Sequence, residues 1–194
     1  GYLSVPKYHF NAKAAYAFAA RFNLYYHKYD KAVDYATKAL GNDVASQLRN
    51  TSYYSTLGGA QAISDEYMRS SLPCNYMVIT AYSLLGRTLW SSNYRRFAHN
   101  RDIIAYETFW AGTPWSSANS SSNTCLYEAA LQYGTNQGVY YPKMIESFEY
   151  TDKVNGTGYA HTVEIAFTGD ETLLVRAEAY TLLKQYDNAL RDLN

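Results

Sequence analysis

Residues 14–40 read AAYAFAARFNLYYHKYDKAVDYATKAL, and residues 173–194 read LLVRAEAYTLLKQYDNALRDLN. When YDKA of the first stretch is laid on YDNA of the second, identical residues fall at matched positions: Ala20 on Ala177, Tyr29 on Tyr186, Asp30 on Asp187 and Ala32 on Ala189. In both stretches a small residue is followed nine positions later by a tyrosine, and an alanine comes three positions after that tyrosine. This spacing is typical of tetratricopeptide repeats. The match predicts two copies of an antiparallel helix pair. The alternative is two unrelated amphipathic helices.

The ends of the predicted helices carry their own signals. Asn11 is a plausible N-cap for the first helix, and Gly41 is a plausible stop for the second. Residues 169–171 (GDE) begin the later pair, with acidic side chains in its first turn. We expect a helix pair over 11–41, an irregular insertion over 42–172 and the start of a second pair over 173–194. Because the last helix stops short, we interpret the chain as a fragment of a longer protein.

Composition excludes several classes of function. The formal net charge is zero, and no basic face indicates a nucleic-acid partner. No apolar run has the length of a membrane span. Tyrosine accounts for 22 of the 194 residues, and tyrosine, tryptophan and asparagine suit carbohydrate recognition, although most tyrosines serve helix packing. Cys74 and Cys125 lack metal-ligand spacing, and we favour two free buried thiols over a disulfide.

The insertion carries weaker signals of structure. Residues 75–82 (NYMVITAY) are the best strand candidate, because β-branched and aromatic residues dominate them. The remaining expectations are short helices over 43–49 and 60–69, a loop over 50–59, a helix over 125–133, extended chain over 140–152, a glycine-rich turn over 154–159 and a strand over 161–167.

Three stretches carry a family resemblance. The helix pair of residues 14–32 resembles the "AAxALxARxxLY…YxxA" pattern of the SusD-like (RagB/SusD) glycan-binding lipoproteins. Residues 141–143 (YPK), with Phe148, resemble that family's "PK" segment. Residues 171–180 (ETLLVRAEAY), followed by the ending 189–194, resemble its "EvLLxxAEAY…AlxxLN" signature, which is the most specific of the three.

The resemblance implies a fold and a function. The implied fold is mainly α: a superhelix of tetratricopeptide-like helix pairs with a long irregular insertion containing a few short strands. The implied function is non-catalytic binding of oligosaccharide or polysaccharide at the outer membrane, for uptake with a SusC-like TonB-dependent transporter. The implied membrane link is a lipid anchor outside this chain, and no cofactor or metal is expected.

Aromatic residues of the insertion are the candidate glycan platform. Trp115 is the first candidate, because it lies in a Ser/Asn-rich loop that is hard to bury, with Asn119 and Asn123 close by. Further candidates come in pairs spaced by one helical turn, which could share a face: Trp110 with Tyr106, and Trp90 with Tyr94. The alternative for each tryptophan is an ordinary core ring.

Two other classes of function remain open. An enzyme would need catalytic groups, and the nearest constellations are His161 with Glu164, His99 with Asp102, and the pair Asp170–Glu171. No HExxH, GxSxG or glycine-rich phosphate loop accompanies them, so we expect no catalysis. A tetratricopeptide-type module for protein interaction, without glycan binding, is the stronger alternative.

Overall fold

A computed structural model describes residues 4–54, 56–58, 60–86, 99–100, 128–133, 136–140 and 146–194. The chain divides into two compact units. The first, here called the helical unit, comprises residues 1–49, 68–79 and 164–194. The second, here called the sheet unit, comprises residues 50–67 and 80–163.

The described residues form six α-helices and six β-strands. The helices are α1 (Ala12–Tyr25), α2 (Tyr29–Leu40), α3 (Thr51–Tyr54), α4 (Ala60–Met68), α5 (Gly169–Leu182) and α6 (Tyr186–Leu193). The strands are β1 (Asn75–Tyr82), β2 (His99–Asn100), β3 (Glu128–Tyr133), β4 (Asn136–Tyr140), β5 (Ser147–Asp152) and β6 (Thr157–Thr168). Short 3₁₀ turns occupy Pro6–Tyr8 and Ala45–Gln47.

The two helix pairs repeat with one register, an offset of 157 residues. Helix α5 begins and ends 157 positions after α1, and α6 begins 157 positions after α2. The turn residues His27 and Lys184, also 157 apart, both adopt left-handed backbone, with φ of 58° and 62°. The caps match as well: the Asn11 side chain accepts from the third helical N–H of α1, and the Thr168 hydroxyl does so for α5. The sequence match is therefore a structural repeat.

Small residues allow the helices of the helical unit to pack closely. One core cluster joins Ala20, Ala32 and Ala36 of the first pair to Val175 and Ala179 of α5. These alanines are fully buried, so α5 lies directly on the surface that α1 and α2 present. A second cluster lies nearer the N-terminal end of α1. It includes Ala14, Ala17, Ala39, Tyr76 and Phe167.

Arginines tie the later helices to the first pair. Arg176 of α5 makes two 2.7 Å bonds to the carboxylate of Asp192 on α6, and it also donates to the Thr37 hydroxyl at 3.3 Å. Arg21 of α1 makes a two-pronged contact with Glu171 at the start of α5. The first of these ion pairs is almost fully buried and the second is partly exposed.

Strands β1, β6 and β5 form a three-stranded sheet in that order. Hydrogen bonds join position 74 to 169 and position 83 to 160, so β1 and β6 run antiparallel. Strands β5 and β6 are also antiparallel, with Glu149 opposite Tyr159 and Ser147 opposite His161. A separate three-stranded sheet has the order β2-β4-β3, and both of its strand pairs are antiparallel.

The expected mainly-α superhelix is wrong. Two antiparallel sheets occupy much of the region expected to be an irregular insertion, so the fold combines helix pairs with sheets. The expected helix over 125–133 is also wrong, because residues 128–133 form β3. The sequence EAALQY has good helix formers, but the ladder with β4 satisfies its backbone groups and overrides that propensity. The expected loop over 50–59 contains the short helix α3.

Other local expectations are confirmed. The strand expected over residues 75–82 has those bounds, and the strand expected over 161–167 lies inside the longer β6. Asn11 caps α1 through its side chain, and Gly41 ends α2 with a φ of 72°. Cys74 is a free, buried thiol, whereas Cys125 lies outside the described residues.

Candidate functional site: an aromatic cluster on the sheet

All of the residues that the sequence suggested for a glycan platform lie outside the described part of the chain. They are Trp90, Tyr94, Tyr106, Trp110, Trp115, Asn119 and Asn123. The structure therefore neither brings them together nor separates them. It does reveal a different aromatic cluster, in the sheet unit.

Four side chains share one face of the sheet formed by β1, β6 and β5. Residues directly opposite each other on neighbouring strands project to the same face, and so do residues two apart on one strand. Tyr159 and His161 of β6 are two apart, and Glu149 of β5 lies opposite Tyr159. The β1–β6 register places Tyr82 opposite His161. We call Tyr82, Glu149, Tyr159 and His161 the tyrosine cluster.

The rings of the tyrosine cluster are in direct contact. The centroids of Tyr82 and His161 lie 4.4 Å apart with an interplanar angle of 37°, and those of Tyr82 and Tyr159 lie 5.4 Å apart at 69°. On its other side, His161 Nε2 lies 2.7 Å from Glu149 Oε2. The imidazole is thus held between a ring and a carboxylate, which fixes its orientation.

The tyrosines of the cluster are open to solvent. Tyr82 is 71% exposed and Tyr159 is 56% exposed, while the His161 side chain is only 18% exposed. Exposed apolar surface that is rimmed by polar atoms is a feature of binding sites. The cluster combines apolar ring faces, phenolic hydroxyls and one carboxylate acceptor. A polyhydroxylated ligand needs this combination, because it has apolar C–H faces as well as hydroxyl groups.

The opposite face of the same sheet edge carries a different pair of rings. Phe148 and Tyr150, two apart on β5, contact each other at 4.8 Å. Gly158 lies opposite Tyr150, and a Cβ at this glycine would meet the Glu149 carbonyl oxygen at 2.0 Å and the Phe148 ring at 2.9 Å. Glycine is therefore required at position 158, because Phe148 and the Glu149 carbonyl leave no room for a Cβ.

The turn between β5 and β6 is stabilised by Asp152. Its carboxylate accepts from the backbone N–H groups of Val154 and Asn155 and from the Asn155 amide. These bonds hold the pKa of Asp152 below its ordinary value, and the bond from the Asn155 backbone N–H contributes most to this shift. Gly156 completes the turn with a φ of 65°. The turn sets the β5–β6 register, and the register places Glu149 beside His161.

The residue pairs suggested from the sequence as catalytic groups have other partners in the described structure. His161 pairs with Glu149 and not with Glu164, because positions 161 and 164 of a strand project to opposite faces. Asp170 and Glu171 begin α5 and contact arginine side chains, Arg49 and Arg21 respectively. Only the backbone of His99 is described, as part of β2, and Asp102 lies outside the described residues.

The strand pattern carried a signal for the tyrosine cluster that sequence reasoning missed. Tyr159 and His161 alternate with small residues, which predicts one shared face. The partners Tyr82 and Glu149 depend on strand pairing between distant segments, and no local pattern reveals that. Across the described ranges, no group of three or more His, Cys, Asp or Glu side chains could hold a metal ion. Among the described helices, none is long and apolar enough to cross a membrane.

Comparisons with family models, curated proteins and solved structures found no match to this chain.

Proposed function

We propose that the protein binds oligosaccharide or polysaccharide without catalysis, through the tyrosine cluster of the sheet unit. The supporting observation is the pair of exposed, mutually contacting tyrosines, Tyr82 and Tyr159, beside the Glu149 carboxylate. Their ring faces can cover the apolar face of a sugar, and the carboxylate and hydroxyls can bond its hydroxyl groups.

The cluster suits binding better than catalysis. Glycosidases of the usual kind use two carboxyl groups flanking the scissile bond, whereas the tyrosine cluster contains one, Glu149. That carboxylate is already engaged by His161 at 2.7 Å. A carboxylate held in this way is a fixed acceptor for a sugar hydroxyl.

The wider role in this proposal comes from the sequence resemblance to SusD-like lipoproteins. In this proposal the protein lies at the outer membrane, on the cell surface, and is held there by a lipid anchor outside this chain. There it would hold glycan for a SusC-like TonB-dependent transporter. The signature-like segment 171–180 supports this role, and it lies within α5 of the helical unit.

Affinity electrophoresis against a panel of polysaccharides tests the binding proposal. We expect at least one polysaccharide to retard the wild-type protein and to retard Tyr82→Ala much less. Tyr150→Ala is the matched control, because Tyr150 is similarly exposed but projects from the opposite face of the sheet. Equal retardation of both variants would remove the tyrosine cluster from the binding site. Failure of every polysaccharide to retard the wild type would remove the function itself.

A further inference from the structure

The tyrosine cluster contains one acidic side chain, Glu149, and one histidine, His161. The Glu149 side chain is 62% exposed, and its Oε2 lies 2.7 Å from Nε2 of His161. This pair has a net charge of −1 when the imidazole is neutral and a net charge of zero when the imidazole is protonated. In either protonation state, the cluster offers a ligand no net positive charge.

The neighbouring positions on the three strands add no charge to the cluster. Residues two positions from a cluster member share its face where the ladder is regular, because side chains alternate along a strand. In β1, β5 and β6 these positions hold only uncharged residues, namely Thr80, Ser147, Thr151, Thr157 and Val163. The turn after β5 adds Lys153, but the Asp152 carboxylate is next to it in the chain, so this turn has no net charge.

The aromatic rings of the cluster also disfavour an anion. The face of an aromatic ring carries the negative part of its quadrupole, which attracts cations and repels anions. Tyr82 and Tyr159 are the exposed rings of the cluster, so a sugar that stacks on them meets this negative surface. A carboxylate or sulfate on that sugar is therefore opposed by the rings as well as by Glu149.

A site for acidic groups is usually built with arginine or lysine. A guanidinium binds a carboxylate through two parallel bonds, and an ammonium acts as a compact point charge. This chain uses the first arrangement in its helical unit, where Arg21 and Arg176 each contact a carboxylate. On the described strand positions around the tyrosine cluster, neither arginine nor lysine is present.

We propose that the tyrosine cluster selects neutral glycans over acidic ones, and that Glu149 sets this selectivity. A sugar that bears a carboxylate or sulfate group places a second negative charge near Glu149, and the described face holds no cation to compensate it. A like charge about 6 Å from a carboxylate in water weakens binding about threefold, and a partly desolvated charge weakens it more. The inference rests on the proposed glycan binding and adds the class of glycan to it.

Two derivatives of one polysaccharide provide a matched test. The polysaccharide that most retards the protein is carboxymethylated or hydroxyethylated to the same low degree, so that the two substituents are similar in size and differ in charge. Calorimetric titration of the full chain at about 10 mM salt, where the Debye length is about 30 Å, gives an affinity for each derivative. We expect the wild type to bind the hydroxyethyl derivative roughly threefold or more tightly than the carboxymethyl derivative.

Two variants locate the charge that sets this affinity ratio. Glu149→Gln removes the charge and keeps an acceptor oxygen, so we expect the two derivatives to bind this variant with nearly equal affinity. Glu164→Gln is the matched control, because Glu164 is exposed on the same sheet strand, β6, but projects from the face opposite His161. We expect this control to keep the wild-type ratio. A hydrogen bond to sugar that Glu149→Gln weakens for both derivatives cancels in the ratio.

Salt provides a second readout that uses the wild type alone. At about 1 M salt the Debye length falls to about 3 Å, so we expect the two derivatives to bind with nearly equal affinity. The formal net charge of the whole chain is zero, so a salt-sensitive ratio reports local charge rather than overall repulsion. If Glu149→Gln binds neither derivative, the salt response of the wild type decides whether the selectivity is electrostatic.

The results distinguish this inference from the proposed function. A wild type that binds no polysaccharide removes glycan binding, and the selectivity with it. A wild type that binds both derivatives equally at low salt leaves glycan binding standing and overturns the selectivity. The selectivity is also overturned by a ratio that does not respond to salt, that Glu149→Gln leaves unchanged, or that Glu164→Gln lowers as much as Glu149→Gln does.

Discussion

The buried ion pair between α5 and α6 gives the sharpest prediction about stability. Arg176 and Asp192 have side chains that are only 10% and 8% exposed, and two 2.7 Å bonds join them. Replacing Asp192 by alanine leaves the arginine charge buried, and among the described residues the Thr37 hydroxyl is its remaining hydrogen-bond partner. Breaking such a pair costs about 3–5 kcal/mol of the free energy of unfolding. For a chain of this size the cost corresponds to a fall of roughly 6–20 °C in Tm.

Circular dichroism of the helices during thermal unfolding would measure the loss. The double variant Arg176→Met, Asp192→Leu should recover most of the stability, because it removes both charges and keeps apolar volume. Asp34→Ala is the control, since Asp34 pairs with Lys38 on the exposed side of α2 and should matter little. If Asp192→Ala unfolds at the same temperature as Asp34→Ala, the reasoning about burial is wrong.

Three further variants test other parts of the fold by thermal or pH-dependent unfolding. Gly158→Ala should destabilise the protein by about 1–3 kcal/mol, because the new Cβ would meet the backbone oxygen of Glu149 at 2.0 Å; Gly58→Ala, with open space around it, should not. Asn11→Ala should cost about 0.5–2 kcal/mol through loss of the α1 cap. Tyr76→Phe should leave stability at neutral pH unchanged or raised, because within the described structure the buried hydroxyl has no hydrogen-bond partner.

The tyrosine at position 76 also predicts a response to alkaline pH. Burial raises the pKa of Tyr76 above its ordinary value, so the folded state keeps the proton that the unfolded state loses near pH 10. The stability that this provides is present below about pH 10 and is lost as the pH rises toward the folded pKa. We expect Tyr76→Phe to unfold at higher pH than the wild type. Equal alkaline midpoints would contradict the assignment.

The helix pairs could be predicted from the sequence because their determinants are local. Asn11 supplies the cap, Ala20 and Ala32 permit close packing, and each signal lies within a few residues of the structure it specifies. The repeat added a second, independent copy of the same signals. Strand β1 was predictable for a similar reason, since its β-branched and aromatic residues are continuous.

The sheets and the tyrosine cluster could not be predicted in the same way. Strand β3 has the composition of a helix, and only its pairing with β4 makes it a strand. Tyr82 meets His161 across 79 residues of sequence, and Glu149 reaches it through a hairpin register that Asp152 and Gly156 set. Sequence reasoning favoured Trp115 in a polar loop and the helically spaced pairs around Trp110 and Trp90 as the platform, whereas the tyrosine cluster lies on strands.

Calorimetric titration with the polysaccharide that most retards the protein tests the proposed function most directly. The comparison is between the wild type, the double variant Tyr82→Ala, Tyr159→Ala and the control Tyr150→Ala. We expect the double variant to lose roughly tenfold or more in affinity, as for two central residues of a binding surface, while the control binds like the wild type. Undiminished binding by the double variant would contradict the claim that the tyrosine cluster is the glycan platform.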